Sequence, residues 1–389
     1  MKLDWLIIGG GIHGVHIAAR LLGEADVDRE RIRIVDPSER LLSRWLSCTK
    51  TTGMEHLRSP SVHNLDLNPW SLKQYAKKRT DLEFKIFERP YDRPHLQLFN
   101  DHCDRVISSF GLSELHVQAR ALSCDVDCDG VVVRLSEGTE LSARNVVLAM
   151  GGGEQLEWPE WTRKDDPRVH HVFACGFDGW PSKEESVVVV GGGITGGQVA
   201  LRLVKEGHQV HLVSRHAMRE HQFDSDAGWL GPKYMMRFHR EKNLDKRRAL
   251  IRKARHSGSV PPDVRRRITA AITQGQIEWH EADVASLEGQ GTELTMRLTT
   301  GVTVKPDRVL LATGFTGHRP GGALVDQLIT SAALPCASCG YPIVDKSLRW
   351  HPKIYVTGPL AELELGPASR NIAGARRAAE RLVEAARTR

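Results

Sequence analysis

Apolar positions in this chain come in short dense runs, and most of the runs end in glycine. The first is Asp4–Ile8, closed by Gly9-Gly10-Gly11. A run of that length, bounded by glycine, predicts a strand buried on both faces. Val15–Leu22 has the spacing of a helix, and Arg31–Val35 predicts a second strand, ending at Asp36-Pro37. Together they predict a βαβ unit at the start of the chain. From Ser43 to Asn100 the pattern is polar and rich in Pro and His, with a helix predicted near Leu72–Lys78. Leu115–Ser142 alternates as a small β-meander. Asn145–Ala149 is another buried strand, ending at Met150-Gly151-Gly152-Gly153.

A polar stretch, Glu154–Glu185, carries Pro159, Pro167 and Pro181 and predicts a crossing between domains. The opening pattern then recurs, roughly 180 residues on, as an internal repeat of one supersecondary unit. Ser186–Val190 is a strand, Gly191–Gly197 a glycine turn, Gln198–Lys205 a helix and Gln209–Val213 a strand. Basic, helical sequence follows to Thr273. A second meander spans Ile277–Val304, and Arg308–Ala312 is a buried strand ending at Thr313-Gly314. Ile354–Thr357 is a last strand before Gly358-Pro359, and Ile372–Arg387 is a closing helix. The expected fold class is α/β: two doubly wound, Rossmann-like dinucleotide-binding domains, the second inserted in the first. The boundaries read from the pattern are 1–165 and 306–389 for the first domain and 166–305 for the second.

Both glycine turns fit G-x-G-x-x-G in its proper place, after a strand and before a helix. Gly9 permits a tight turn, Gly11 lets backbone approach a pyrophosphate, and Gly14 lets the helix pack close to the strand. The helix N-terminus then offers free N–H groups to phosphate. Asp36, after the second strand, can accept hydrogen bonds from a ribose. Gly191, Gly193 and Gly196 repeat the loop, but the following strand ends in Ser214-Arg215, with no carboxylate. An arginine there suits a 2′-phosphate. The reading is therefore FAD at the first loop and NADPH at the second. Chain order supports it, since the late strand with Gly358 would return to complete the first domain.

Composition narrows the picture in a few places. The sequence has 54 Lys and Arg against 48 Asp and Glu, a net charge of +6. The excess gathers in Arg237–Arg255 and Arg265–Arg267. Aromatic residues are missing from Leu244–Arg267, so base-stacking platforms are absent there. A solvated helix beside an anionic dinucleotide is favoured over a nucleic-acid surface. No apolar run reaches the length of a membrane span, and the start of the chain reads as a core strand rather than a signal peptide; the default location is cytoplasmic. Seven cysteines in 389 residues make no disulfide framework. Cys336 and Cys339 form one CxxC, which could be a redox dithiol or half of a zinc site; a plain loop is favoured. His170-His171 and Cys124/Cys128 lack further ligands and read as structural, so no metal site is expected. Trp229 is balanced between a substrate-side cover and core.

The stretch Asp307–Pro320, with Ala312-Thr313-Gly314-Phe315 at its centre, resembles the D-x3-[LF]-ATG-[YF]-x4-[HP] signature of flavin-dependent N-hydroxylating monooxygenases. These are the lysine and ornithine N-hydroxylases of siderophore pathways, relatives of the Baeyer–Villiger enzymes. Trp45 and Met54–Arg58 are similar to the segment that lies along the flavin in that family. Leu365–Asn371 is similar to its C-terminal flavin-proximal turn. The matches span nearly the whole chain. The chain departs from the family in being shorter, in lacking a recognisable asparagine-rich substrate segment, and in having Glu55-His56 where glutamine is usual.

The resemblance implies a NADPH- and O2-dependent monooxygenase that N-hydroxylates a small amine or amino acid through a C4a-hydroperoxyflavin. It assigns Trp45, Met54, Gly151, Gly358 and Gly366 to FAD, beside the first loop and Asp36. Gly314 joins Ser214, Arg215 and the second loop at NADPH. No catalytic residue is read with assurance; His56 and Arg58 are the candidates near the flavin. Two rivals share the loops: a disulfide or electron-carrier reductase, and a non-catalytic flavin-bound redox sensor. A homo-oligomer stays open.

Overall fold

The computed structural model describes residues 2–291 and 293–387. Two sheets organise it, and each is built around one of the two dense apolar repeats. In the first sheet the strand order is Arg349–His351, Ile354–Val356, Glu140–Leu148, Leu3–Ile8, Ile32–Asp36 and His116–Gln118. Leu3–Ile8 runs parallel to both its neighbours. Its residues Leu6 and Ile7 are fully buried, as a central strand covered on both faces requires. The meander Ala121–Val126 and Val131–Leu135 hangs antiparallel from Glu140–Leu148.

The second sheet is wholly parallel, in the order Ile277–Glu281, Gln209–Ser214, Ser186–Val190, Arg308–Leu311, Val169–His171. A three-stranded antiparallel sheet, Val284–Gln290, Glu293–Leu298 and Thr303–Val304, covers part of it. The two doubly wound units expected from the repeat are present, the second inserted in the first. The division read at 305/306 falls one strand early. Arg308–Leu311 pairs on both sides with strands of the second sheet, because a run that apolar needs a sheet interior, and the nearer interior is that of the second unit.

The first unit is finished by the end of the chain. Helix Ile372–Arg387 packs along helix Ile12–Glu24. Small residues allow the approach: Ala375, Ala378 and Ala379 on one helix and Val15, Ala18 and Leu21 on the other are fully buried. Two crossings join the units and lie side by side. Leu156 and Phe315 form an antiparallel bridge, Glu157 N–H donates to the Gly314 carbonyl at 3.0 Å and Thr316 N–H to the Gln155 carbonyl at 2.8 Å. Among the described residues no helix is long and apolar enough to cross a membrane.

Candidate functional site

The two glycine loops repeat each other in detail. Gly9 has φ +115° and Gly191 φ +144°, a region that favours glycine. A Cβ on Gly9 would lie 2.7 Å from the carbonyl oxygen of Ala149; one on Gly191 would lie 2.4 Å from that of Ala312. A Cβ on Gly14 would lie 1.8 Å from the Gly9 carbonyl oxygen, and one on Gly196 1.9 Å from that of Gly191. Each helix is therefore pressed onto its own loop. Gly11 and Gly193 are the N-caps; neither helix has a side-chain cap or an acidic residue in its first turn. The orphan N–H groups there are left for a ligand, with open space beside Gly11.

The strand ends separate the loops. Asp36 follows Ile32–Val35, and its two carboxylate oxygens accept from Gly10 N–H at 2.7 Å and Ser38 N–H at 2.9 Å. Each oxygen keeps lone pairs for a further donor. At the second loop the Ser214 hydroxyl is turned inward: it donates to the His216 carbonyl at 2.8 Å and accepts from Trp279 Nε1 at 3.2 Å. The expectation that Ser214 and Arg215 act together is corrected to this extent. The Ser214 donor and one of its two acceptor positions are used inside the fold, and Arg215 is the exposed group at the rim.

Around the first loop a second convergence appears that the sequence did not show. His13, inside the glycine fingerprint, places Nδ1 2.8 Å from the Thr357 hydroxyl. Burial pushes its pKa down to about 4, offset in part by the backbone of Arg370 and Asn371 nearby. Its Nε2 is buried without a partner. Loop, last strand and the start of the closing helix thus meet at one imidazole. Gly358, with φ +62°, faces the same ring: a Cβ there would lie 3.8 Å from it, in van der Waals contact. Gly151 and Gly314 have open space where a Cβ would stand.

The segment read as lying along the flavin is a helix, Ser43–Thr52, followed by an extended stretch. Trp45 donates from Nε1 to Asn100 Oδ1 at 2.9 Å and packs against Phe99; Met54 is half-buried on the same core. His56 is tied by Nε2 to the Lys85 carbonyl at 2.8 Å, edge-on to His95. Arg58 gives Nε and Nη2 to the carbonyls of His221, Gln222 and Phe223 and to the Ser259 hydroxyl, at 2.6–3.0 Å. Burial lowers its pKa to about 10. It is a clamp between the two units, not a group free to handle a substrate proton.

Most of the basic run is solvated, as Arg237, Arg240, Arg252 and Arg265–Arg267 are exposed, but three of its arginines are not. Arg248 pairs with Glu362, a carboxylate only 1% exposed, which Arg370 reaches from the other side at 3.0 Å. Arg247 and Arg255 donate to the carbonyls of Leu363 and Pro367 at 3.0 and 3.1 Å. Glu364 gathers Arg247, Arg381 and His239. The arginines fasten helix Leu244–Ala254 to the acidic turn before Gly366. Gly366, φ +76°, would bring a Cβ to 3.1 Å from Met235 Sδ and 3.8 Å from the Trp229 ring. Trp229 packs with Tyr234 and Phe238 in the small core of this seam.

The resembling stretch has a structural meaning residue by residue. Asp307 accepts from Ser186 N–H at 2.8 Å and registers the two central strands. Ala312 is the small residue under Gly191. Thr313 donates to the Glu157 carbonyl at 2.5 Å, and Gly314, φ +84°, turns the chain into the return crossing. His171 accepts from Phe173 N–H and donates to the Gly314 carbonyl at 3.1 Å, so it braces the same crossing.

Comparison with known proteins follows from this geometry. The sequence matches the family described as pyridine nucleotide-disulphide oxidoreductase over residues 3–381. No curated protein matches it significantly. Among solved structures, an ornithine N-hydroxylase from Kutzneria sp. 744, with reduced FAD, NADP+ and L-ornithine, superposes with TM-score 0.76 at 16% identity, covering 100% of this chain and 99% of that one. An L-lysine 6-monooxygenase from Pseudomonas syringae gives TM-score 0.73 at 18% identity, again over 100% and 99%. A bacillithiol disulfide reductase from Bacillus cereus gives 0.65 at 17% identity, with the same coverage.

Proposed function

The chain belongs to the pyridine nucleotide-disulphide oxidoreductase family, and on that footing we propose that it is an FAD- and NADPH-dependent monooxygenase that N-hydroxylates a small amine or amino acid. The residues fit both cofactors. Gly9, Gly11, Gly14 and Asp36 would hold FAD by its pyrophosphate and ribose, with Trp45, Met54, Gly151, Gly358 and Gly366 around it. Gly191, Gly193, Gly196, Gly314 and Arg215 would hold NADPH, with Arg215 on the 2′-phosphate. Ser214, beside that arginine in sequence, keeps one hydroxyl lone pair free for the same ligand.

When bound, the two cofactors supply hydride transfer and activation of O2. The chain supplies binding, orientation and a dry site. Helix N-termini hold the phosphates. The arginine seam fixes the angle between the units, and with it the distance a hydride must cross. His13, kept neutral by burial, can accept or donate one hydrogen bond at the convergence of loop, strand and closing helix.

Cysteine placement is the observation that favours oxygenation over disulfide reduction, since neither glycine loop holds a thiol. A disulfide reductase needs a reactive thiolate, held at a depressed pKa. Burial pushes the Cys48, Cys336, Cys103 and Cys124 thiols upward instead. The first loop carries His13, not a cysteine. The ornithine and lysine named for the two oxygenase neighbours indicate the substrate class: a primary amine on a short aliphatic chain.

The test is an assay of the FAD-loaded protein with NADPH and air against L-ornithine, L-lysine and cadaverine. One of them should be converted to a hydroxylamine, with O2 consumed in step with NADPH. NADPH-driven reduction of a disulfide under anaerobic conditions, with no amine oxidised in air, would replace this reading by the reductase one.

A further inference from the structure

We propose that His211, Glu278 and His280 form a divalent-metal site at the edge of the second sheet, of the borderline class that includes Zn(II). Nothing in the nucleotide reading requires such a site, and it stands or falls separately.

The placement comes from strand register. Gln209–Ser214 and Ile277–Glu281 run parallel, with His211 opposite Glu278 and Val213 opposite His280. Side chains alternate across a sheet, so the three residues share one face. Val210, Leu212 and Ile277 point to the other side, into the core beneath the helices. The three donors are brought together by two paired strands rather than by flexible loops.

The distances suit coordination. His211 Nδ1 lies 3.2 Å from His280 Nε2 and 3.3 Å from a Glu278 carboxylate oxygen. His280 Nε2 lies 3.5 Å from the other Glu278 oxygen. Ligands about 2.0–2.1 Å from a tetrahedral zinc are separated by about 3.3–3.4 Å. In the metal-free protein one imidazole donates to the other; the ion would take the place of that shared proton. The two rings are nearly coplanar, 18° apart with centroids at 5.5 Å. The two nitrogens face each other, and a modest rotation of the rings would turn both toward a shared ion.

The donor set narrows the ion. Two imidazoles and one carboxylate suit Zn(II), Co(II), Ni(II) or Cu(II) and disfavour Ca(II) and Mg(II), which take oxygen ligands. Glu278 is 64% exposed while His280 is 9% exposed. The ion would enter from the carboxylate side, where water can complete the fourth position. Coordination would tie the terminal strand of the sheet to the strand that ends at Ser214, just before Arg215. Because the unfolded chain has no such arrangement, binding adds to folding stability.

The experiment uses the FAD-loaded protein, stripped with chelator and equilibrated with zinc alone. One zinc per chain and a rise in Tm of several degrees are expected. His211→Ala and His280→Ala should each weaken zinc binding at least tenfold. Glu278→Gln, on an exposed side chain that the fold tolerates, should weaken it while leaving the metal-free Tm unchanged. A Cys336→Ser/Cys339→Ser variant should bind as the unaltered protein does. The proposal is overturned if the unaltered protein takes up no zinc, or if uptake is lost only in the cysteine variant. It is also overturned if Glu278→Gln and the histidine variants that fold bind zinc as before.

Discussion

At the scale of single residues, the glycine loops make the sharpest demands. Ala at 14 or 196 would put a methyl group inside the radius of a backbone oxygen, and backbone cannot swing aside as a side chain does. Gly196→Ala should leave bound FAD intact and raise KM for NADPH. Gly14→Ala should lower the flavin content of the purified protein, read from its absorbance against protein concentration. Arg215 has the opposite character: it is exposed and costs the fold little. Arg215→Ala should raise KM for NADPH by roughly tenfold, the low end for a charge-assisted hydrogen bond in water, and leave KM for NADH unchanged. An equal effect on both would place the 2′-phosphate elsewhere. Both loops were legible in the sequence because the chemistry itself demands the residue type. His13 was not, since a histidine at an unrestricted position of the fingerprint carries no sign of the Thr357 hydroxyl, 344 positions away.

At the scale of elements, what the sequence hid was polar burial. Helix Ser43–Thr52 has no apolar stripe, so periodicity passes over it. Its buried threonines are satisfied within the helix: Thr49 donates to the Trp45 carbonyl at 2.9 Å and Thr52 to that of Thr49 at 3.1 Å. The basic run read as solvated for a related reason. Arg247 and Arg248 find their carboxylate partners more than a hundred residues away, in the turn Glu362–Leu365. That seam is the element-scale target. Arg248→Met would leave Glu362, 1% exposed, with Arg370 as its remaining cation. Removing one partner of a buried pair costs about 3–5 kcal/mol, and the remaining arginine points to the lower end. The urea midpoint should fall accordingly. Replacing Glu362 with Gln in the same chain should recover part of the loss, because the stranded charge goes with it.

At the scale of the whole molecule, the buried histidines set the response to acid. Burial lowers His13, His63, His102 and His171 to about 4 and His16 to about 3, from an ordinary 6.5. Below pH 6.5 the unfolded chain takes up protons that the folded chain refuses, so stability falls with pH until about 4, where the folded imidazoles begin to titrate as well. His16 is wholly buried and alone represents roughly 2 kcal/mol between pH 7.5 and 5. Urea midpoints at those two values should differ in that direction; a midpoint independent of pH would mean that these rings are reached by water. The two-unit architecture was legible from the repeat. The true extent of the inserted unit was not, because an apolar strand announces that it is buried but not in which sheet.

The closing helix has a consequence for how the chain is made. The inserted unit is complete once Leu311 has been synthesised, since all five strands of its sheet then exist. The first unit must wait. Helix Ile12–Glu24 is made long before its main packing partner, Ile372–Arg387. Ribosomes add about 5–20 residues each second, so for several seconds the nascent chain carries a folded inserted unit and an unfinished first unit with exposed apolar surface. Any chaperone dependence of this protein should fall on that early half, and a chain stopped after residue 320 should resist protease from 166 to 311 while its first 150 residues are degraded.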